Sequence, residues 1–336
     1  MDIRIRDFQP GEAARWDDYV QRHPLATCFH LSAWKSTIEE VFRFRPHYLL
    51  AEQDGVIGGL LPLFYVRNWI TGKVLISTPF AVYGGILADS PEIQQALYQK
   101  ARDLAFSLDV QHLELRNAHP GQCVGLPRVD RYVTFVHPVG PDVDILAAAD
   151  KKTRNMVRKA LKFPYSIRRG VTDLSRFKDL YSRNLRRLGT PSFPYRFFDL
   201  LQRNFGGAVQ VNEISLDNRV VAASFSFLFR GDMHTYYAAS DFDVWDKAPN
   251  NYMYYEHLAW AGANGFSTFD FGRSKKDTGT YDFKRHWGTA MRELPYEILL
   301  VRRKQMPNFS PTNKKFDLAI RIWRRLPLPV TRLLGP

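Results

Sequence analysis

One order of elements occurs twice in the chain, and that repetition restricts its fold more than any other feature. In the first half Tyr48–Glu52 reads as a strand and Asp54-Gly55 as a two-residue hairpin turn. A long apolar strand Val56–Val66 follows, then a strand Lys73–Ser77, a helix over 91–108 and a strand Gln111–Arg116. The second half gives Val209–Ser215, the turn Asp217-Asn218, the strands Arg219–Phe229 and Met233–Ala239, a helix over about 249–264 and the strand Thr268–Gly272. The parallels reach single residues: His112-Leu113-Glu114-Leu115 stands against Thr268-Phe269-Asp270-Phe271. Two copies of one mixed α/β (α+β) domain are therefore expected. Ahead of the first copy, Ala13, Trp16, Tyr19 and Val20 have helical spacing, and Ser32 reads as the cap of a second helix.

A length of 336 residues accommodates two such domains, and 45% hydrophobic content supplies their cores. Two distant cysteines, Cys28 and Cys123, and nine scattered histidines argue against a disulfide scaffold or a zinc site. The N-terminal stretch has no apolar signal region and no run of 18 apolar residues occurs, so a cytoplasmic, non-spanning protein is expected. Serine-hydrolase elbows and P-loops are missing from the sequence. The formal net charge of +13 favours partners that carry phosphates: nucleic acid, nucleotide donors or an anionic membrane.

Two stretches hold the candidate chemistry. Phe266–Gly288 begins as an alternating aromatic strand that ends at Gly272, continues as a polar loop, and returns to aromatic residues around Lys284. A lysine delivered beside a core strand suits charge stabilisation, and a charged hairpin capping the sheet is the structural alternative. Between the two copies, Ala147–Lys162 reads as a basic helix with Lys151, Arg154, Arg158 and Lys162 on one face. That face either contacts phosphates or is simply solvated. At the far end, Lys314–Leu334 combines an apolar stripe of Phe316, Ala319, Ile320 and Trp323 with Arg321, Arg324 and Arg325. It reads either as a peripheral membrane contact or as a tail packed on its own domain.

These residues resemble the FemAB-type transferases over about 1–300. The resemblance lies in Lys152-Thr153-Arg154-Asn155, Tyr236-Tyr237-Ala238-Ala239-Ser240, Ala248-Pro249-Asn250, Phe269-Asp270-Phe271-Gly272 and Tyr281-Asp282-Phe283-Lys284. In the first half it lies in Trp34, Leu61-Pro62-Leu63 and Tyr83-Gly84-Gly85-Ile86. Among such proteins the chain is most similar to those associated with PEP-CTERM/exosortase systems of exopolysaccharide-producing bacteria. The resemblance implies tandem duplicated GNAT-like acyltransferase domains over 1–145 and 146–310, followed by a basic amphipathic tail over 311–336. It also implies acyl or aminoacyl transfer from acyl-CoA or aminoacyl-tRNA to an amine of a cell-envelope or polysaccharide precursor, without a bound cofactor or metal. The chain departs from the peptidoglycan branch: Lys35 directly follows Trp34, and the loop Thr190-Pro191-Ser192-Phe193-Pro194 lacks a basic residue. A non-catalytic accessory protein of exopolysaccharide or PEP-CTERM protein-sorting assembly is the alternative function.

The resemblance makes Phe283-Lys284 the catalytic pair. Acyl transfer needs positive charge where the oxyanion grows, so Lys284 is expected to supply it, with Arg285 or His286 as second positions. Asp270 is the candidate base. The candidate substrate-binding residues are Arg154, Arg158, Tyr236, Tyr237, Asn250, Arg285, Trp34 and Tyr83. Tyr236 and Tyr237 are expected on opposite faces of their strand. Asn250 follows Pro249 at a helix start, where free N–H groups favour an anion. The glycine-rich phosphate loop is replaced there by Trp245-Asp246-Lys247-Ala248-Pro249-Asn250. Arg203-Asn204-Phe205-Gly206-Gly207-Ala208 matches that fingerprint only literally, because it precedes a strand.

Overall fold

In the computed structural model, which describes residues 3–68, 72–307 and 317–333, the chain divides into two units. The first comprises Met1–Val133 and Glu293–Pro307, and the second Thr134–Arg292 and Asn308–Pro336. Both have mixed sheets flanked by helices.

The first unit opens with the strand Arg4–Asp7 and the helix Ala13–Arg22, which buries Trp16, Tyr19 and Val20 along one stripe. The next helix is Ser32–Phe42, but Ser32 is its first residue and not its cap. Asp17 takes that role from the preceding helix, accepting from the Ser32 N–H at 2.7 Å and its hydroxyl at 2.6 Å. Leu49–Gln53 and Val56–Leu61 form the hairpin, with Asp54 and Gly55 both at positive φ as a primed turn requires. The long strand expected over Val56–Val66 is interrupted after Leu61. Pro62 has no N–H to continue the ladder, and Phe64–Asn68 pairs in a different sheet with Gly72–Ile76. The helix Pro91–Ser107, capped by the Ser90 hydroxyl, then carries the chain to His112–Arg116, parallel to Gly72–Ile76.

This sheet is completed from far along the chain. Tyr296–Leu300 lies antiparallel to His112–Arg116, with Tyr296 opposite Arg116 and Leu300 opposite His112. Its Glu297 is fully buried, and the carboxylate accepts from the backbone N–H groups of Val124, Gly125 and Leu126 at 2.8–2.9 Å. The Asn117 amide adds a fourth bond at 3.0 Å. Four donors converging on one carboxylate make its burial tolerable.

The second unit repeats the theme. Val209–Leu216, Arg219–Phe229 and Asp232–Ser240 form an antiparallel meander whose first turn, Asp217-Asn218, again has two positive φ values. The helix Pro249–Ala263 crosses over to Thr268–Asp270, which is parallel to Asp232–Ser240. Thr268–Asp270 also pairs antiparallel with Tyr132–Pro138. Strand, crossover helix and parallel strand thus occur once in each unit, the arrangement that the internal repetition predicts. The helices Ser175–Leu188 and Tyr195–Phe205 precede this meander as Ala13–Arg22 and Ser32–Phe42 precede the hairpin of the first unit. Their phenylalanines pack against the meander through Phe177, Phe197, Phe198 and Phe225. The tail forms the helices Asp317–Arg325 and Leu328–Leu333, which contact Ser175–Leu188. Residues 311–316, Phe316 included, and 334–336 lie outside the described residues. No described helix is long and apolar enough to cross a membrane.

Candidate active site

The site builds up around Lys284. The segment holding it is a short helix, Gly279–Arg285, and not the hairpin considered as its structural alternative. Thr278 starts the helix by accepting from the Tyr281 N–H, and Asp282 in the first turn favours the helix dipole. Helical geometry separates the two neighbouring cations. Arg285 lies outside, paired with Asp282 at 3.7 Å, while Lys284 points inward and is only 9% exposed. Phe283 packs on Tyr254 and Trp287, at ring separations of 5.4 and 6.2 Å.

The Lys284 ammonium donates to the carbonyl of Gly272 at 2.8 Å and to that of Arg273 at 3.2 Å. An ammonium has three protons, so two of them are fixed and one is left for a further acceptor. Asp270 braces the start of the same turn. Its Oδ1 accepts from the Gly272 N–H at 2.7 Å and from the Thr134 hydroxyl at 2.6 Å. Gly272 has φ +77° and a Cβ there would stand 3.0 Å from His234 Nε2, so this turn requires glycine. The carboxylate therefore anchors the turn whose next carbonyls hold the lysine, a positioning role beside its candidacy as a base.

His234 Nδ1 lies 3.9 Å from Asp270 Oδ2. Burial lowers the pKa of His234 below the ordinary imidazole value, against the pull of Asp270, and Lys284 adds to the lowering. Tyr236 joins the group through a β-bulge. The register runs Phe225 to Tyr237 and then Ser226 to Thr235, leaving Tyr236 without an opposite residue. Its ring stands edge-on to His234 at 5.1 Å. Tyr237 packs within the core against Phe198 and Tyr181, but its ring also meets that of Tyr236 at 4.6 Å, so the bulge overrides the expected placing of the two on opposite faces.

Burial also lowers the pKa of Lys284 from 10.5 to about 8, opposed by Asp270 and assisted by Arg273. Charging it inside the fold costs roughly 3 kcal/mol, at about 1.4 kcal/mol per pH unit. The unfolded chain therefore holds this proton more tightly than the folded one between about pH 8 and 10.5. Stability should rise with pH across that window. Denaturant titrations of wild type and Lys284→Met should diverge there, wild type gaining stability relative to the variant. Parallel curves would remove the shift.

The basic helix spans Lys151–Ala160, capped by Asp150, which accepts from the Thr153 N–H at 2.6 Å. Its entry is fastened to the turn after the lysine helix. The Asp150 N–H donates to the His286 carbonyl at 3.0 Å, and a Cβ on Gly288 would stand 2.3 Å from the Ala148 carbonyl oxygen. Arg154 donates to the Ala149 carbonyl at 2.5 Å, whereas Arg158 is exposed. Asn250 lies half-buried in the first turn of Pro249–Ala263, preceded by Ala248 at φ 58°. The run Arg203–Ala208 ends a helix and enters a strand, so no helix N-terminus follows its glycines.

Two candidates lie in the first unit. Trp34 is fully buried, with its indole N–H donating to the Pro79 carbonyl at 3.3 Å. Tyr83, also buried, shares the Phe29 ring with it. Both serve the core of that unit and present little surface to a substrate. The structure thus assembles Lys284, Asp270 and Tyr236, with Phe283 alongside, and adds His234 and Thr134, which the sequence reading omits. Thr134 lies on the strand Tyr132–Pro138, buried over Val133–His137, and nothing local marks it as a site residue.

Residues 147–285, which include the whole of this cluster except Thr134, match the model of the acetyltransferase (GNAT) domain. The lipid II:glycine glycyltransferase of Staphylococcus epidermidis is 36% identical over 74 residues, 20% of this chain. The chain spans only 18% of that relative's length in the match. The crystal structure of FemX superposes with a TM-score of 0.67 at 15% identity, covering 89% of this chain and 98% of the other. A tandem GNAT protein from the clavulanic acid biosynthesis pathway gives 0.58 at 12% identity, covering 91% and 100%. The fold is that of the tandem GNAT proteins.

Proposed function

From a tandem GNAT fold whose second unit carries an acyltransferase domain, we propose that this protein moves an acyl or aminoacyl group onto an amine of a cell-envelope or exopolysaccharide precursor. One observation carries the reading. Within the span that matches the GNAT domain, a lysine is buried, desolvated and held by two carbonyls with a proton to spare. The local likeness to a lipid II:glycine glycyltransferase supports an envelope acceptor and an aminoacyl donor. The GNAT match supports a thioester donor of the acyl-CoA type.

In this reading the uncharged amine attacks the donor carbonyl, and the carbonyl oxygen becomes an oxyanion beside Lys284. Collapse of the tetrahedral intermediate forms the amide and releases the donor's alcohol or thiol, which takes the proton the amine loses. Asp270 holds the Gly272 peptide, and through it the ammonium, while the intermediate forms. Arg154, Arg158 and Asn250 are the proposed phosphate contacts. The tail Asp317–Leu333 provides a peripheral contact with the membrane that presents a lipid-linked acceptor. The resemblance to PEP-CTERM-associated proteins supports an exopolysaccharide setting for that acceptor.

The test supplies glycyl-tRNA or acetyl-CoA together with lipid II or an amino-sugar glycolipid, and follows the mass of the acceptor. A gain of one acyl residue with one donor class is expected, and no gain with either donor would reject the transferase reading. The two carbonyls that already hold Lys284 within the fold suit a second reading, a binding protein that retains the fold. In that case acceptor binding survives Lys284→Met and no product forms.

A further inference from the structure

Half of the large apolar side chains left exposed among the described residues lie in one region of the second unit: Leu188, Phe242, Trp245, Ile322 and Val330, between 37% and 53% exposed. Contacts join them. The Arg187 guanidinium sits over the rings of Phe242 and Trp245, at 4.8 and 4.7 Å. The next residue, Leu188, accepts at its carbonyl from Arg324 at 3.4 Å. After it, Gly189 (φ +80°) leaves room for Ile320, whose Cγ2 a Cβ would meet at 2.5 Å. The end of the helix Ser175–Leu188 therefore links the turn Phe242–Lys247 to the tail helix Asp317–Arg325.

Cations surround this apolar surface. Arg187 lies at its centre, and Arg321, Arg324 and Arg325 are exposed on the tail. The facing acids are Asp243 and Asp246, and Asp243 already lies 3.6 Å from Arg219. Aromatic residues, aliphatic residues and arginines in one patch match the boundary between headgroups and acyl chains. Phosphates meet the arginines while Trp245 and Ile322 enter the apolar layer. Nucleic acid would use the rings and the arginines, but it has no place for exposed Leu188, Ile322 and Val330.

We infer that the second unit carries a composite membrane-docking face, built from the turn Phe242–Lys247, the end of Ser175–Leu188 and the tail helix, which seats on anionic phospholipid. This deepens the membrane contact proposed above and rests on it, extending the contact from the tail to the folded body of the unit.

The experiment is flotation of the full chain with vesicles of phosphatidylglycerol and phosphatidylcholine, and with phosphatidylcholine alone. Wild type should float with the anionic vesicles at low salt and be released by salt. Phe242→Glu/Trp245→Glu and Ile322→Glu should each weaken that binding by about tenfold or more without lowering the melting temperature. Arg325→Glu, at an exposed position, should weaken it severalfold and serves if a bulkier change misfolds. No flotation on anionic vesicles would overturn both the composite face and the tail contact. Loss in Ile322→Glu with full binding in Phe242→Glu/Trp245→Glu would overturn the composite face and leave the tail contact standing. RNA binding that falls in the same variants, with vesicles ignored, would assign the face to nucleic acid instead.

Discussion

Replacing Lys284 by Met should lower turnover by on the order of 10²–10³ while leaving the protein folded. Met keeps a similar apolar stem, and it removes the charge. Two energetic effects then oppose each other. The desolvation cost of a buried ammonium disappears, but the carbonyls of Gly272 and Arg273 lose a donor. Thermal stability should therefore change little at neutral pH, and the rate should change greatly. Asp270→Asn adds a discriminating comparison in the same assay, because an amide still reaches the Gly272 peptide and Thr134 but cannot accept a proton as a base. Retained activity in Asp270→Asn assigns the carboxylate to positioning. Turnover in Lys284→Met equal to wild type would remove the lysine from the chemistry.

Glu297→Ala should be the most destabilising single change in the first unit, by about 3–5 kcal/mol. Its removal leaves three backbone N–H groups and the buried Asn117 amide without their acceptor. Glu297→Gln retains shape and an acceptor oxygen but not the charge, and should cost less. Chemical denaturation of the three proteins checks the order. Hydrogen exchange over 112–116, the strand paired with Tyr296–Leu300, should rise in the alanine variant. Wild-type protection in that strand would show that the carboxylate contributes little.

The repeated elements were legible because each is a local pattern. Alternation, hairpin turns and the apolar spacing of a crossover helix identify themselves within a few residues. The Asp54-Gly55 and Asp217-Asn218 turns do so most clearly, since both residues of each pair take positive φ. The break at Pro62 was also readable, from the missing N–H. The lysine helix had a cap in Thr278, but seven residues with two aromatics carry little helical periodicity. The strand Tyr296–Leu300 could not be assigned to the first unit from its own residues, because its partner lies well over a hundred positions away. The same limit applies to the site. Lys284 stands out by its aromatic surroundings, whereas Thr134 meets Asp270 across 136 residues of chain. His234 acquires its importance only when the parallel pairing sets it opposite Asp270. The bulge that frees Tyr236 depends on a register that no single strand encodes.

The position of Tyr296–Leu300 in the first unit also sets a timetable for the nascent chain. The donors that enclose Glu297, at Asn117 and Val124–Leu126, leave the ribosome 171 to 180 residues before it does. At typical elongation rates that interval is on the order of ten seconds or more. Throughout it the edge of His112–Arg116 stands open, an unpaired ladder of the kind that recruits foreign strands. The unit begun first thus waits until Thr134–Arg292 of the second has been made. Premature termination anywhere before Glu297 releases a product whose opening half is already exposed to aggregation.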